Sequence, residues 1–76
     1  NNKLFTVEAR KGQQSQLTLS DGTEVWLNSN RKIEFTGGYG NENRNIKLVG
    51  EGYFKVAKNK QLPFMVTANN ITVTAL

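Results

Sequence analysis

The residues of this chain that could do chemistry are its carboxylates, above all Asp21, Glu24, Glu34, Glu42 and Glu51. A suitably spaced pair would serve acid–base hydrolysis, and a set of alternating oxygen ligands would hold calcium. No two neighbours in this set stand at a recognisable acid–base or ligand spacing. "SDGTE", residues 20–24, contains Asp, Gly and Glu but lacks the alternating oxygens of a calcium loop, so a hairpin turn is the preferred reading. The chain has neither His nor Cys. That removes the commonest general base, the commonest zinc ligand, any thiolate metal site and any disulfide framework. The expectation is a protein without catalytic residues, metal or cofactor. Two glycines flank Glu51 in "VGEGYFKV", Val49 to Val56, but not at the spacing of a phosphate-cradling loop, and no Gly-Lys-Ser/Thr comes after them.

Tyr39, Tyr53 and Phe54 lie near lysines and are the candidates for stacking single-stranded nucleic acid. Tyr53 and Phe54 are adjacent, so on a strand they point to opposite faces. Phe54 in the core and Tyr53 partly exposed is the preferred reading. The net charge of +4 comes from ten Lys and Arg scattered among six acids. Arg10/Lys11, Arg31/Lys32 and the group Lys55, Lys58 and Lys60 make a mildly basic solvated surface rather than a phosphate-binding stripe, and no nucleic-acid partner is expected. A basic β-barrel for single-stranded nucleic acid remains one alternative. A carbohydrate- or envelope-binding β module is another, hinted at by Trp26, which alternation turns away from the core, and by the Asn-rich loops.

The elements that must carry these residues are strands. Period-two alternation recurs along the chain with no helical stripe, and predicts strands near 3–8, 15–19, 24–28, 32–36, 44–49, 53–57, 64–68 and 71–75. The fold class is all-β: a single small domain of about eight short, mainly antiparallel strands forming a roll, sandwich or short solenoid-like core. One face collects Phe5, Val7, Leu17, Leu19, Val25, Leu27, Ile33, Phe35, Ile46, Leu48, Phe54, Val56, Phe64, Val66, Ile71 and Val73 as the predicted core. At 76 residues the domain is near the lower size limit, where only about 60% of the unfolded surface is buried.

Asp21-Gly22 predicts a two-residue type I′ hairpin between the second and third strands, and Asn69-Asn70 a weaker hairpin of the same kind. "TGGYGNENR", 36–44, reads as an irregular surface loop. Pro63 precedes a strand, where its missing N–H costs little. Gly50 and Gly52 free the backbone to turn a corner, and Glu51 is expected to tie that corner by accepting backbone N–H bonds or pairing with a base, so that Glu51→Ala should lower stability. We find no internal repeat. No apolar run approaches the ~20 residues of a membrane span, and the Asn-Asn start and apolar "ITVTAL" ending read as an excised piece of a longer protein.

The order of the motifs resembles the FecR family of envelope regulators. The resemblance rests on Gly12-Gln13; on Leu19, Asp21, Gly22, Thr23, Val25, Trp26, Leu27 and Asn28; on Arg44, Ile46, Leu48, Gly50, Glu51, Tyr53, Phe54 and Val56; and on Pro63, Phe64 and Val66. Asp21, Gly22, Trp26, Asn28, Arg44, Gly50, Glu51, Gly52, Phe54, Pro63 and Phe64 are the residues to which it implies structural roles. Gly52 departs from the family's usual alanine, Lys55 from a common acid, and "TVTAL" from a Val-x-Gly-Thr-x-Phe-x-Val continuation. The resemblance implies a FecR-like domain over 1–76, truncated at its C-terminal end. It implies a non-enzymatic periplasmic signalling module in a single-pass inner-membrane anti-sigma factor of a Gram-negative bacterium. Its partners would be the signalling domain of an outer-membrane TonB-dependent transducer and, through a cytoplasmic part, an extracytoplasmic-function sigma factor.

Overall fold

Strand β5 shows how the sequence writes this architecture. Along Arg44–Val49, positions 44, 46 and 48 are buried and positions 45, 47 and 49 exposed, the period of a pleated strand with one dry face. The structure, a computed structural model, describes residues 2–69 and 71–75, with the side chains of 72, 74 and 75 set aside. It contains β1 (Leu4–Ala9), β2 (Ser15–Thr18), β3 (Glu24–Leu27), β4 (Arg31–Thr36), β5 (Arg44–Val49), β6 (Gly52–Val56), β7 (Phe64–Thr67) and β8 (Thr72–Ala75). Each strand lies within a residue of its expected ends. The described residues form no helix, so none is long and apolar enough to cross a membrane.

The strands make two four-stranded sheets, ordered β1-β4-β5-β7 and β2-β3-β6-β8. Four pairings are antiparallel, β1/β4, β4/β5, β2/β3 and β3/β6, and two are parallel, β5/β7 and β6/β8. The links β1→β2, β3→β4, β5→β6 and β7→β8 each cross between sheets and join strands holding the same place in the two orders. The β6→β7 link crosses back and advances one place. So β5–β6 and β7–β8 are successive turns of a coil added to an antiparallel sandwich. This repeat is invisible in the sequence because only alternate apolar positions recur, Ile46 opposite Val66 and Phe54 opposite Val73.

Between the sheets Val25, Leu27, Ile33, Ile46, Leu48, Phe54 and Val56 are buried. Phe54 has no exposed surface, and its burial alone stabilises the fold by about 1.5–3 kcal/mol. Two members of the predicted core are corrected. Phe5 is 40% and Val73 43% exposed, because β1 and β8 are edge strands with a neighbour on one side only. Two turns are corrected as well. Asp21-Gly22 is not a type I′ pair, since Gly22 alone has a positive φ, 92°. Leu19 O accepts from Gly22 N at 2.9 Å and Leu19 N donates to Thr23 O at 2.8 Å, a three-residue loop closed by a left-handed glycine. The expected hairpin at Asn69-Asn70 is not made, because β7 and β8 lie in different sheets; Asn70 itself lies outside the described residues.

The 37–43 segment also differs from expectation. Gly38 and Tyr39 are buried, and Gly38 O accepts from Asn41 N at 3.0 Å and Glu42 N at 2.7 Å while Asn43 O accepts from Gly40 N at 2.7 Å. Glycine permits this tight fold: a Cβ on Gly38 would overlap the Glu42 side chain, and Gly40 adopts φ 88°.

Candidate functional site

The carboxylates do not converge. By register Glu8 stands opposite Lys32, Glu24 opposite Lys55 and Glu34 opposite Lys47, alternating charge that suits a solvated sheet face rather than a reaction centre or phosphate stripe. Among the described residues no three acidic side chains gather as a metal-holding group.

One carboxylate is different. Asp21 Oδ2 pairs with Arg44 Nη1 at 3.1 Å, and both side chains are almost fully buried. Asp21 Oδ1 accepts from Thr23 N at 3.0 Å, and Oδ2 accepts from Thr23 Oγ1 at 2.8 Å and Tyr39 Oη at 3.3 Å. Thr23 Oγ1 in turn accepts from Ala57 N at 3.1 Å. Arg44 donates to three carbonyls of the β6→β7 link: Nε to Leu62 O at 2.6 Å, Nη1 to Ala57 O at 2.7 Å and Nη2 to Asn59 O at 3.2 Å. Its guanidinium carbon lies 5.8 Å from the centre of the Phe64 ring. Two loops, the hairpin turn and the start of β5 are thus tied at one point, and a buried charge pair is tolerable because its lone pairs and protons are met.

Burial pushes the Asp21 carboxyl up, but the hydrogen bonds from Thr23, Arg44 and Tyr39 outweigh it and hold the group below its ordinary value. The Tyr39 hydroxyl is pushed up to about 12, by burial first and then by the adjacent Asp21 charge. Of this knot, sequence reasoning places Asp21 in a turn and Arg44 in a motif but gives Thr23 and Tyr39 no part in it. The available signal is Arg44 itself, a cation at an inward position of an otherwise apolar alternation.

At the other end of β5, Gly50 and Glu51 turn the chain from one sheet to the other, as expected of a corner. Gly50 has φ 92°, and a Cβ there would overlap Arg31 Cδ. Arg31 packs its stem over the glycine, with Nη1 3.3 Å from Ser29 O and a buried Nε that has no hydrogen-bond partner among the described residues. The tether expected of Glu51 is absent: its side chain is exposed and makes no hydrogen bond or ion pair among the described residues. Gly52 is packed differently, since a Cβ would stand 3.3 Å from Leu48 and Phe54 and 3.4 Å from Leu27.

The remaining motif residues divide between core and surface. Phe54 and Phe64 rings meet at 5.8 Å, and Pro63 precedes β7. Asn28 is exposed and accepts from Gln14 Nε2 at 3.5 Å. Trp26 points outward and lies against Tyr53, which is 42% exposed. Among the described residues none covers the sandwich beyond β7 and β8: Phe64 and Val66 are half-buried and Met65 is 59% exposed. A cleft of about 460 Å³ opens there, lined by Val56, Lys58, Pro63, Phe64 and Val73 among others.

Fold and site together define a small all-β module in which a buried charge pair orders the loops and the open surfaces are strand edges and one aromatic face. The FecR protein family model matches residues 5–76, and the chain belongs to the FecR family. Two crystal structures of a putative anti-sigma factor from Parabacteroides distasonis ATCC 8503 are similar, each with a TM-score of 0.77, at 29% and 28% identity. The matches cover 87% and 86% of this chain and 31% of each of those chains, so the chain spans about a third of their length. No curated protein matches it.

Proposed function

We propose that this chain is a non-enzymatic periplasmic signalling module of an anti-sigma regulator. In this reading it passes the state of a TonB-dependent outer-membrane transducer toward an extracytoplasmic-function sigma factor by protein contact. The membrane helix and the sigma-binding segment belong to other parts of a longer regulator, in which residues 1–76 are one domain. Membership in the FecR family and the likeness to an anti-sigma factor support the regulatory role. The observation that carries the mode of contact is the pair of edges at one end of the sandwich. Among the described residues β7 and β8 contain no charged residue, each has a neighbour on one side only, and the inward residues Phe64, Val66 and Val73 are incompletely covered. Uncharged edges accept strands, and strand addition supplies main-chain hydrogen bonds.

Calorimetric titration with the cognate transducer's periplasmic signalling domain tests the reading. We expect a saturable complex that Met65→Lys on the exposed face of β7 abolishes. If neither this chain nor the full-length regulator forms a complex, the proposal fails.

A further inference from the structure

The outer face of the β2-β3-β6-β8 sheet carries a row of side chains that the signalling role leaves unused. Gln16, Trp26 and Tyr53 stand in register across β2, β3 and β6. The Trp26 and Tyr53 rings lie 5.3 Å apart at 56°, so they form a stepped platform rather than a flat stack. Around them the surface is not apolar. Gln14 donates to Asn28 at 3.5 Å and Gln16 to Glu24 at 3.4 Å. Two shallow clefts flank Trp26. One, of about 420 Å³, is bounded by Gln14, Ser15, Gln16 and Asn28; the other, of about 210 Å³, by Asn28, Glu51 and Tyr53.

The chemistry of this face selects a ligand class. Among the described residues its apolar area is confined to two rings, too little for the desolvated centre of a protein interface with its surrounding apolar contacts. It is a sheet face, not an edge, so no strand can add to it. A nucleic-acid base could stack on the rings, but Glu51 lines one cleft and no cation lines either, and the cation beside Tyr53 on this face, Lys55, stands opposite Glu24. The amides of Gln14, Gln16 and Asn28 each offer donors and an acceptor, and Glu51 adds acceptors. A pyranose matches this arrangement. Its C–H face carries partial positive charge and rests on the negative face of an aromatic ring, while hydroxyls around its rim both donate and accept. The clefts on either side of one ring provide room for sugars before and after the stacked one.

We infer that the Trp26–Tyr53 face binds a neutral oligosaccharide, with the two rings stacking sugar faces and Gln14, Gln16 and Asn28 bonding the hydroxyls. The contact is independent of the β7–β8 edges, so either proposal can fail without the other. Chitohexaose and cellohexaose, titrated into the full chain, are the probes. Trp26 is the single tryptophan, and its emission reports the site directly. We expect a saturable blue shift with at least one of the two sugars that is unchanged between low and high salt, since no ion pair is involved. Tyr53→Ala should weaken binding roughly tenfold, and Gln14→Ala, at an exposed position whose loss cannot unfold the domain, several-fold. The inference is overturned if neither sugar gives a saturable change, if binding disappears at high salt, or if Tyr53→Ala and Gln14→Ala bind as the parent does. It is overturned equally if Tyr53→Ala abolishes the complex with the transducer's signalling domain, which would make this face a protein contact.

Discussion

Arg44 and Gly50 bracket β5, and the two ends of that strand are held by opposite means. At Arg44 a side chain reaches into the protein and gathers partners: a carboxylate, three carbonyls and a ring. At Gly50 the decisive feature is the absence of a side chain, which lets the chain turn at positive φ beneath the stem of Arg31. The first end is expensive to disturb because its groups are desolvated and depend on one another. The second is a local steric fit, and a neighbour can partly relax around it. A strand joined at both ends to sheet-changing or loop segments needs both devices, since β-ladder bonds alone do not orient the segments beyond the strand.

Removing a partner from the knot should have the largest effect. Arg44→Met strands the Asp21 charge and three carbonyls, and should cost roughly 3–5 kcal/mol. A domain of this size has a total stability of about 4–11 kcal/mol, so urea denaturation should show a fold lost or close to it. Retention of parent stability would show that the knot contributes nothing. Gly50→Ala comes next, at about 1–3 kcal/mol for a non-glycine residue held at positive φ. Combining it with Arg31→Ala should recover the overlap component but not the backbone strain, and full additivity in the double-mutant cycle would refute the packing account.

The Arg44 end should also respond to pH, through two groups that titrate at opposite limits. Asp21 has a folded value below its ordinary 3.8, so its contribution is complete above that value and is lost as pH falls through the lower folded one. Tyr39 runs the other way. With its value raised from 10.0 to about 12, its contribution is complete below 10 and lost as pH rises toward 12. Denaturation midpoints measured across pH should steepen at both limits, with Asp21→Asn flattening the acid limb and Tyr39→Phe the alkaline one. The smallest effect belongs to the Gly50 end: Glu51→Ala should fall within about 0.5 kcal/mol of the parent, as for an exposed side chain without partners among the described residues. A larger loss would restore the tether that the sequence suggests.

Much of the fold is legible in the sequence because strand alternation is local. The dry faces of β3, β5 and β6 arise from residues two apart, and turn residues interrupt that pattern between β2 and β3, after β5 and before β7. The hairpin at Asp21-Gly22 is legible too, although its loop length is not, because one or two left-handed residues are compatible with the same dipeptide. The candidate site is less legible. Thr23 and Tyr39 look like ordinary turn and loop residues, and their burial depends on the intervening chain folding back to one point, which Ser20 Oγ bonding to Tyr39 O at 3.0 Å records. Tyr53 and Trp26 can be placed on outward faces by parity, but not side by side, since register between β3 and β6 is a long-range choice.

The amino-acid sequence alone settles that this protein is all-β, that it lacks histidine and cysteine chemistry, which faces of β3, β5 and β6 are dry, and which family it resembles. Those properties are set by composition and by residues one or two positions apart. It takes the tertiary structure to show that β5/β7 and β6/β8 pair in parallel, that Arg44 is buried against Asp21 rather than offered to solvent, and that Glu51 ties nothing among the described residues. Each of these depends on which distant backbone groups remain to be satisfied once the sheets close, and that accounting is made over the whole chain.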